Sequence, residues 1–226
     1  MHRITIRQLG FLALCVMMVA SAFSEPQARE RKKFFRAYTV VVYGDGITAG
    51  YGIERDQAYP SVLRDKLNIE FKNDRIEVVN AGVVGDTAAS GASRIASILE
   101  LKPLIVVVAF GMSDAQKGID PNVTYKAIDQ MLSNLTYNNI YVILAGFKAP
   151  DNMNLAEASR FNSLFPELAN RYKVAYLPYL LKGVEGVWYN NQFDGIYPNE
   201  DGHKVIAETL HIPVTEMLRK VRLRDF

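Results

Sequence analysis

The sequence predicts an α/β fold in which a central parallel sheet of about five strands is covered by helices on both faces. Short runs rich in β-branched residues alternate with longer amphipathic stretches, and turns rich in Gly and Asp follow most of the runs. Each run is almost continuously apolar, which is typical of strands that are covered on both faces. Alternation of strands and helices favours a parallel sheet.

Each element can be placed on this pattern. The candidate strands cover residues 38–43, 76–80, 104–109, 140–145 and 174–177. Helical periodicity is found between or after them over residues 59–71, 87–99, 121–137 and 155–172. A last helix is predicted from about residue 201 to residue 219, and Pro213 should bend or break it.

The composition is that of an ordinary globular protein. Of the 226 residues, 49% are hydrophobic and 22% are charged, which suits one domain, placed here at 38–220 with a C-terminal tail at 221–226. The 26 Lys and Arg residues nearly balance 24 Asp and Glu, and no basic stripe is interleaved with aromatic residues. This composition argues against a nucleic acid as partner.

The N-terminal segment is typical of a secretory signal peptide. Two arginines precede a charge-free apolar run over residues 9–20, and an Ala-Ser-Ala site follows at 20–22. A positive start, a short apolar core and small residues at the cleavage site define such a peptide. We therefore predict a signal peptide over 1–24, a linker over 25–37, and a secreted or periplasmic protein.

One alternative remains open for this segment. The run is shorter than the roughly 20 apolar residues that span a membrane, so no stable span is expected after cleavage. An uncleaved N-terminal membrane anchor is the alternative. Cleavage would also remove Cys15, the one cysteine of the chain. The mature protein would then tolerate an oxidising compartment and would have no thiol for catalysis or metal binding.

Chemistry is expected at the carboxyl ends of the strands, where open parallel sheets bind ligands. Four blocks there read VVVYGDGITAGYG, VVNAGVVGDTA, VVVAFGMSDAQKGI and FDGIYPNEDGH, in chain order. In these blocks the chain resembles the SGNH (GDSL-type) hydrolase superfamily, and it is most similar to the secreted arylesterase, lysophospholipase and thioesterase I branch. The resemblance implies a flavodoxin-like three-layer α/β/α sandwich and a carboxylic ester hydrolase activity.

The resemblance also implies the roles of individual residues, and several of them are altered. Gly46 stands where the family has its serine nucleophile, and Tyr197 stands where it has its histidine base. Ser113 replaces the asparagine that donates to the oxyanion. Gly85, which supplies a backbone donor, and Asp194, the acid that orients the base, are both kept.

These replacements predict a loss of the family's chemistry. Covalent acyl transfer needs a nucleophile and a base within hydrogen-bond reach. Gly46 has no side chain, and a tyrosine phenol with a reference pKa near 10 is a poor proton acceptor at neutral pH. We therefore expect a catalytically silenced esterase-like protein that keeps a cleft for an acyl, ester or small-anion ligand. The amides of Gly46 and Gly85 and the Ser113 hydroxyl would be its donors.

The turns offer further candidate residues for the same cleft. Asp45, Met112 and Asp114 are expected to line it. Asp45 could in principle activate water, but a role in tying its turn together is favoured. His203, at the start of the last helix, is expected to be structural. No metal site and no cofactor are predicted.

Two other functions stay open from the sequence. One is an active ester or thioester hydrolase with a non-standard mechanism that recruits Asp45, Asp194 or Tyr197. The other is an interaction protein that does not use the cleft. A small acyl, ester or lipid ligand is the expected partner under the leading hypothesis, and the sequence leaves the oligomeric state open.

Overall fold

The computed structural model describes residues 36–224, and over this range a five-stranded parallel sheet has the order β2-β1-β3-β4-β5. The strands are β1 (Ala37–Gly44), β2 (Arg75–Asn80), β3 (Ile105–Ala109), β4 (Tyr141–Ala145) and β5 (Ala175–Leu177). All four neighbouring pairs are parallel. The predicted fold class is confirmed, and each strand begins or ends within one residue of its predicted bounds.

Eight α-helices accompany the strands over the same range. They are α1 (Gly46–Ala49), α2 (Tyr59–Glu70), α3 (Ala88–Ser93), α4 (Ile95–Glu100), α5 (Met112–Gln116), α6 (Pro121–Tyr137), α7 (Leu155–Tyr172) and α8 (Glu200–Arg224). Helices α2 and α8 pack on each other, while α3 and α7 both pack on α6. Right-handed crossovers account for these two groups. The step from β1 to β2 leads towards one edge of the sheet, whereas the later steps to β3, β4 and β5 lead towards the other edge.

The central strands form the core. Every residue of β3 is buried, and so are the last five of the eight residues of β1. Because both faces of these strands are covered, their sequences are almost continuously apolar, as the pattern indicated. Edge strand β5 is only partly buried. The core therefore fixes the carboxyl ends of β1 and β3, from which the first and third turns leave the sheet.

The structure corrects three predicted boundaries. The helix predicted over 87–99 is divided at Arg94, whose φ of −107° and ψ of 16° end α3 and precede α4. Pro213 lies inside α8 and does not end it. The buried residue Val221, placed in the predicted tail 221–226, belongs to α8. An apolar helix face that is buried before and after Pro213 offsets the hydrogen bond that proline cannot make.

The N-terminal predictions lie outside the described residues. This applies to the signal peptide over 1–24 and to nearly all of the linker over 25–37, although Ala37 already belongs to β1. Between residues 36 and 224, no helix combines the length and the apolar character needed to cross a membrane.

Candidate functional site

The first turn joins β1 to α1 at the carboxyl edge of the sheet. Gly46 is the first residue of α1, and Gly50 ends this helix with a left-handed φ of 82°. The Gly50 amide donates to the carbonyl oxygens of Gly46 and Ile47, which closes the turn. A Cβ at position 50 would lie 2.7 Å from the Cβ of Ala58, so both the φ angle and the space require glycine there.

Asp45 ties the first and third turns together through both carboxylate oxygens. Its Oδ1 accepts from the Ile47 amide and its Oδ2 from the Ser113 amide, each at 3.1 Å. The residue is 1% exposed, and burial raises its pKa from 3.8 to about 6 although the hydrogen bonds from Ser113 and Ile47 lower it. Contrary to expectation, Asp45 does not line an open cleft, because its carboxylate is committed to the turn.

The ring of Tyr197 packs against Gly46, where the family resemblance implies a nucleophile. A Cβ on Gly46 would lie 3.3 Å from Tyr197 Cε1 and 3.5 Å from the phenol oxygen. Tyr51 packs on the Tyr197 ring with the two centroids 4.6 Å apart. Burial, and then the charge of Asp45, raise the pKa of Tyr197, so its phenol stays protonated at neutral pH. This position therefore offers a hydrogen-bond donor in place of a base.

Asp194 shapes the last turn, which carries Tyr197. Its Oδ1 accepts from the amides of Ile196 at 2.9 Å and of Tyr197 at 3.1 Å. Gln192 connects this turn to the first one, because its backbone amide donates to the Tyr197 carbonyl and its side-chain amide donates to the Tyr51 carbonyl. The Asp194 carboxylate thus positions Tyr197 by accepting a hydrogen bond from the Tyr197 backbone amide.

Gly85 lies in the exposed second turn, where its φ of 84° favours glycine. A Cβ at this position would meet no atom within 4 Å, so the residue borders open space. Lys117 donates from Nζ to the Gly85 carbonyl at 2.6 Å and so links the second turn to the third. Within residues 36–224 the amides of Gly46 and Gly85 have no acceptor, but Gly46 is buried beside the Tyr197 ring, whereas Gly85 is exposed.

Arg94 is the residue of this region that the sequence analysis missed. Its guanidinium donates to the carbonyl oxygens of Gly44 at 3.3 Å and of Ala81 at 3.0 Å, and to Asp86 Oδ2 at 2.7 Å. It also lies 4.4 Å from the centroid of the Tyr43 ring. One side chain therefore joins the ends of β1 and β2 to the second turn. The available signal was an arginine within a run of Ala, Ser and Gly that follows Asp86.

Ser113 is buried, although the family resemblance implies a donor that faces the cleft at this position. The residue is 6% exposed and its amide donates to Asp45. Its side chain is also among the groups that lower the pKa of Asp45. The Ser113 hydroxyl is thus turned towards Asp45, and Gly85 is the exposed donor of the predicted set.

The neighbours of Ser113 have opposite surroundings. Asp114 is 1% exposed and accepts from the Ala88 amide and the Thr124 hydroxyl, each at 2.9 Å. These bonds hold the carboxylate inside the fold. Asp114 therefore does not line the cleft, contrary to the expectation from the sequence. Met112 does border a cavity of about 320 Å³ between the third and last turns. Its apolar lining includes Met112, Pro150, Leu181, Val184, Ile196 and Pro198.

The two histidines of the described range, His203 and His211, contact residues outside the four turns. His203 is 1% exposed, and its Nδ1 accepts from the Tyr59 amide at 3.1 Å. Burial lowers the pKa of His203 to about 4, so this imidazole is a neutral core group. His211 contacts Glu70 at 2.9 Å, between α8 and α2. Residues 36–224 also contain no cluster of three or more side chains that could hold a metal ion.

The fold and its four turns define the class of GDSL-type esterases and acylhydrolases. The chain belongs to the GDSL-like Lipase/Acylhydrolase family, whose model matches residues 42–205. The resemblance inferred from the four blocks is therefore confirmed at the level of the family.

Relatives agree with this assignment. The chain is 31% identical over 175 residues to Thioesterase 1/protease 1/lysophospholipase L1 of Escherichia coli strain K12, covering 76% of this chain and 81% of that protein. It is 33% identical over 163 residues to Esterase TesA of Pseudomonas aeruginosa, covering 72% and 80%. A crystal structure of TesA superposes with a TM-score of 0.72 at 31% identity, over 76% of this chain and 95% of that one.

Proposed function

We propose that this chain is a catalytically silenced member of its family that binds an acyl compound through a carbonyl or carboxylate group. The observation that carries the proposal is the packing of Tyr197 on Gly46, with the phenol oxygen 3.5 Å from the position of a Cβ. A nucleophile and a base are both needed for covalent acyl transfer. Here one position has no side chain, and the other carries a protonated phenol.

The groups that remain suit binding. The exposed Gly85 amide has no acceptor within residues 36–224, and the Tyr197 phenol, beside the buried Gly46, can also donate. Oriented donors without a competing base favour a carbonyl oxygen or a small anion. The cavity of about 320 Å³ near Met112 has apolar walls of the kind that accept an acyl chain, and two of its lining residues, Ile196 and Pro198, flank Tyr197 in the chain.

An active hydrolase with a different mechanism is the second candidate, since the pKa of Asp45 is raised to about 6 and a general base works best near the operating pH. Two features of Asp45 argue against this role. Both oxygens accept backbone amides, and the residue is 1% exposed. Water could reach the carboxylate only if the first turn opened. We therefore favour the silenced protein.

Export is proposed on the sequence alone. Residues 1–24 carry the features of a signal peptide, and the mature chain would then be a secreted or periplasmic binding protein.

The binding proposal is tested by calorimetric titration with decanoate and with its methyl ester. The Tyr197→Phe variant keeps the ring and removes the donor. We expect it to weaken binding by roughly 3- to 10-fold, because one hydrogen bond contributes about 0.5–1.5 kcal/mol. Tyr137→Phe is the matched control, since Tyr137 is 87% exposed at the end of α6. Equal affinity in both variants, or no binding by the unmodified protein, would contradict the proposal.

A further inference from the structure

A second surface lies beside the cleft and is not explained by acyl binding. Trp188, Tyr189, Phe193 and Ile196 are exposed within nine residues of chain, and we call them the aromatic surface. Trp188 is 84% exposed and Phe193 is fully exposed. Soluble proteins rarely leave several large apolar side chains together in water, and such patches mark sites of interaction.

The backbone around the aromatic surface is held by its own hydrogen bonds. Asn191 donates to the carbonyl oxygens of Val184 and Val187, and Asn199 donates to those of Tyr189 and Asn191. The rings of Trp188 and Tyr189 meet edge to face at 5.6 Å. The rings are therefore presented by an ordered segment.

The same hydrogen bonds limit which kinds of partner the aromatic surface can bind. A groove of about 760 Å³ is lined by the rings and by Asn191, Gln192 and Asn199. The side-chain amide nitrogens of all three donate to carbonyl oxygens of the loops. A sugar or polar peptide would need such groups to be free. What remains for a partner is mostly ring surface, which favours an apolar or interfacial environment.

We propose that the aromatic surface inserts into the interface of a zwitterionic lipid bilayer or micelle. Trp and Tyr are enriched at membrane interfaces, where an apolar ring and a polar tip are both accommodated. The exposed charged residues between 182 and 200 are Lys182, Glu185, Asp194 and Glu200, so acids outnumber bases by three to one in this stretch of chain. This excess favours a zwitterionic headgroup layer over an anionic one.

The size of the aromatic surface argues against a second copy of the chain as its partner. Three aromatic side chains bury about 450–750 Å² together. A stable protein interface needs roughly 800 Å² from each partner. A lipid surface has no such threshold, because each ring contributes as it enters the interface.

The aromatic surface also adjoins the proposed acyl cleft. Asn191 and Gly195 line both the groove and the cavity near Met112. A bound lipid layer would thus lie at the mouth of the cleft. Insertion does not require the cleft to be occupied, so this proposal and the binding proposal can fail separately.

Trp188 is the only tryptophan of the chain and reports on insertion directly. The full-length protein is titrated with phosphatidylcholine vesicles, some carrying brominated acyl chains. We expect the emission of Trp188 to shift to shorter wavelength and to be quenched by the brominated chains. An apolar N-terminal segment in the membrane would not quench Trp188, because quenching needs contact with the acyl chains.

Two variants complete the experiment. Phe193→Ser should lower the vesicle partition coefficient about 10-fold or more, because it removes one ring that would be buried in the lipid. Tyr137→Ser removes a ring that is 87% exposed at the end of α6 and should leave partition unchanged. Absence of a Trp188 shift, vesicle binding without quenching, a requirement for anionic lipid, or an equal loss in both variants would each overturn the proposal. Self-association that Phe193→Ser abolishes would also overturn it, in favour of an interface between copies.

Discussion

Under the proposal of a silenced site, the serine and histidine that the family resemblance implies at positions 46 and 197 should produce ester hydrolysis only when both are introduced. We consider Gly46→Ser, Tyr197→His and the double variant, with Ser113→Asn as an optional third change. Asp194 already holds the turn of residue 197 through two backbone amides, and the Gly85 amide has no acceptor within residues 36–224. Serine without a base is a weak nucleophile, and histidine without serine has nothing to activate.

The structure also gives the expected effect on stability. Gly46 is not among the glycines with a positive φ, so the backbone accepts serine. The strain comes from Tyr197, because the new Cβ would lie 3.3 Å from its Cε1. Overpacking of this kind costs about 1–3 kcal/mol of unfolding free energy. Tyr197→His removes the obstructing ring, so the double variant should lose about 1 kcal/mol less than the sum of the single losses.

The assay combines hydrolysis of p-nitrophenyl butyrate with unfolding in urea. We expect the double variant to exceed the unmodified protein by about 100-fold or more, and both single variants to stay near background, because a catalytic triad acts as a unit. Gly46→Ala with Tyr197→His is the matched control, since it has the same Cβ and no hydroxyl. Folded double and triple variants that remain silent, with additive losses of stability, would refute the reasoning.

Three further predictions concern the turns and the N-terminus. Between about pH 4 and 6 the raised pKa of Asp45 and the lowered pKa of His203 act in opposite directions on the unfolding free energy. The contribution of Asp45, measured as the difference between the unmodified protein and Asp45→Asn in urea titrations at several pH values, should therefore fall as pH rises through this window. Arg94→Met should lower the unfolding free energy by roughly 1–3 kcal/mol and weaken decanoate binding, because it removes the hydrogen bonds to the ends of β1 and β2. A loss of stability with unchanged affinity would show that Arg94 supports the fold and not the binding site. Intact-mass measurement of the exported protein should show cleavage near residues 22–24, whereas a full-length mass would support an N-terminal anchor.

The sequence predicted the elements that depend on local pattern. Helices α6 and α7 have the predicted bounds, because apolar residues recur at helical spacing and Asp120 and Asn154 cap their first turns. The division at Arg94 was not predictable, because it depends on carbonyl groups of other turns. The continuation of α8 past Pro213 was also missed, since only the buried face on both sides of Pro213 outweighs the effect of proline.

The turns that carry the candidate site residues were predictable from the sequence, whereas the surroundings of those residues were not. The four blocks located Gly46, Gly85, Asp194 and Tyr197 at neighbouring turns, because the carboxyl ends of parallel strands share one edge. The burial of Asp45 and Asp114 could not be read from sequence, since their partners come from other turns and from α6. Likewise, nothing in the sequence indicated that the rings near Phe193 point into solvent.

The proposal of a silenced site is tested most directly by a fluorophosphonate probe followed by intact-mass and peptide analysis. Such a probe forms a covalent bond with an activated serine, and position 46 has no hydroxyl. We expect the unmodified protein to remain unlabelled, while the Gly46→Ser/Tyr197→His variant gains one adduct at residue 46. Stoichiometric labelling of the unmodified protein anywhere within residues 44–52 or 110–118 would contradict the proposal and would indicate an active hydrolase.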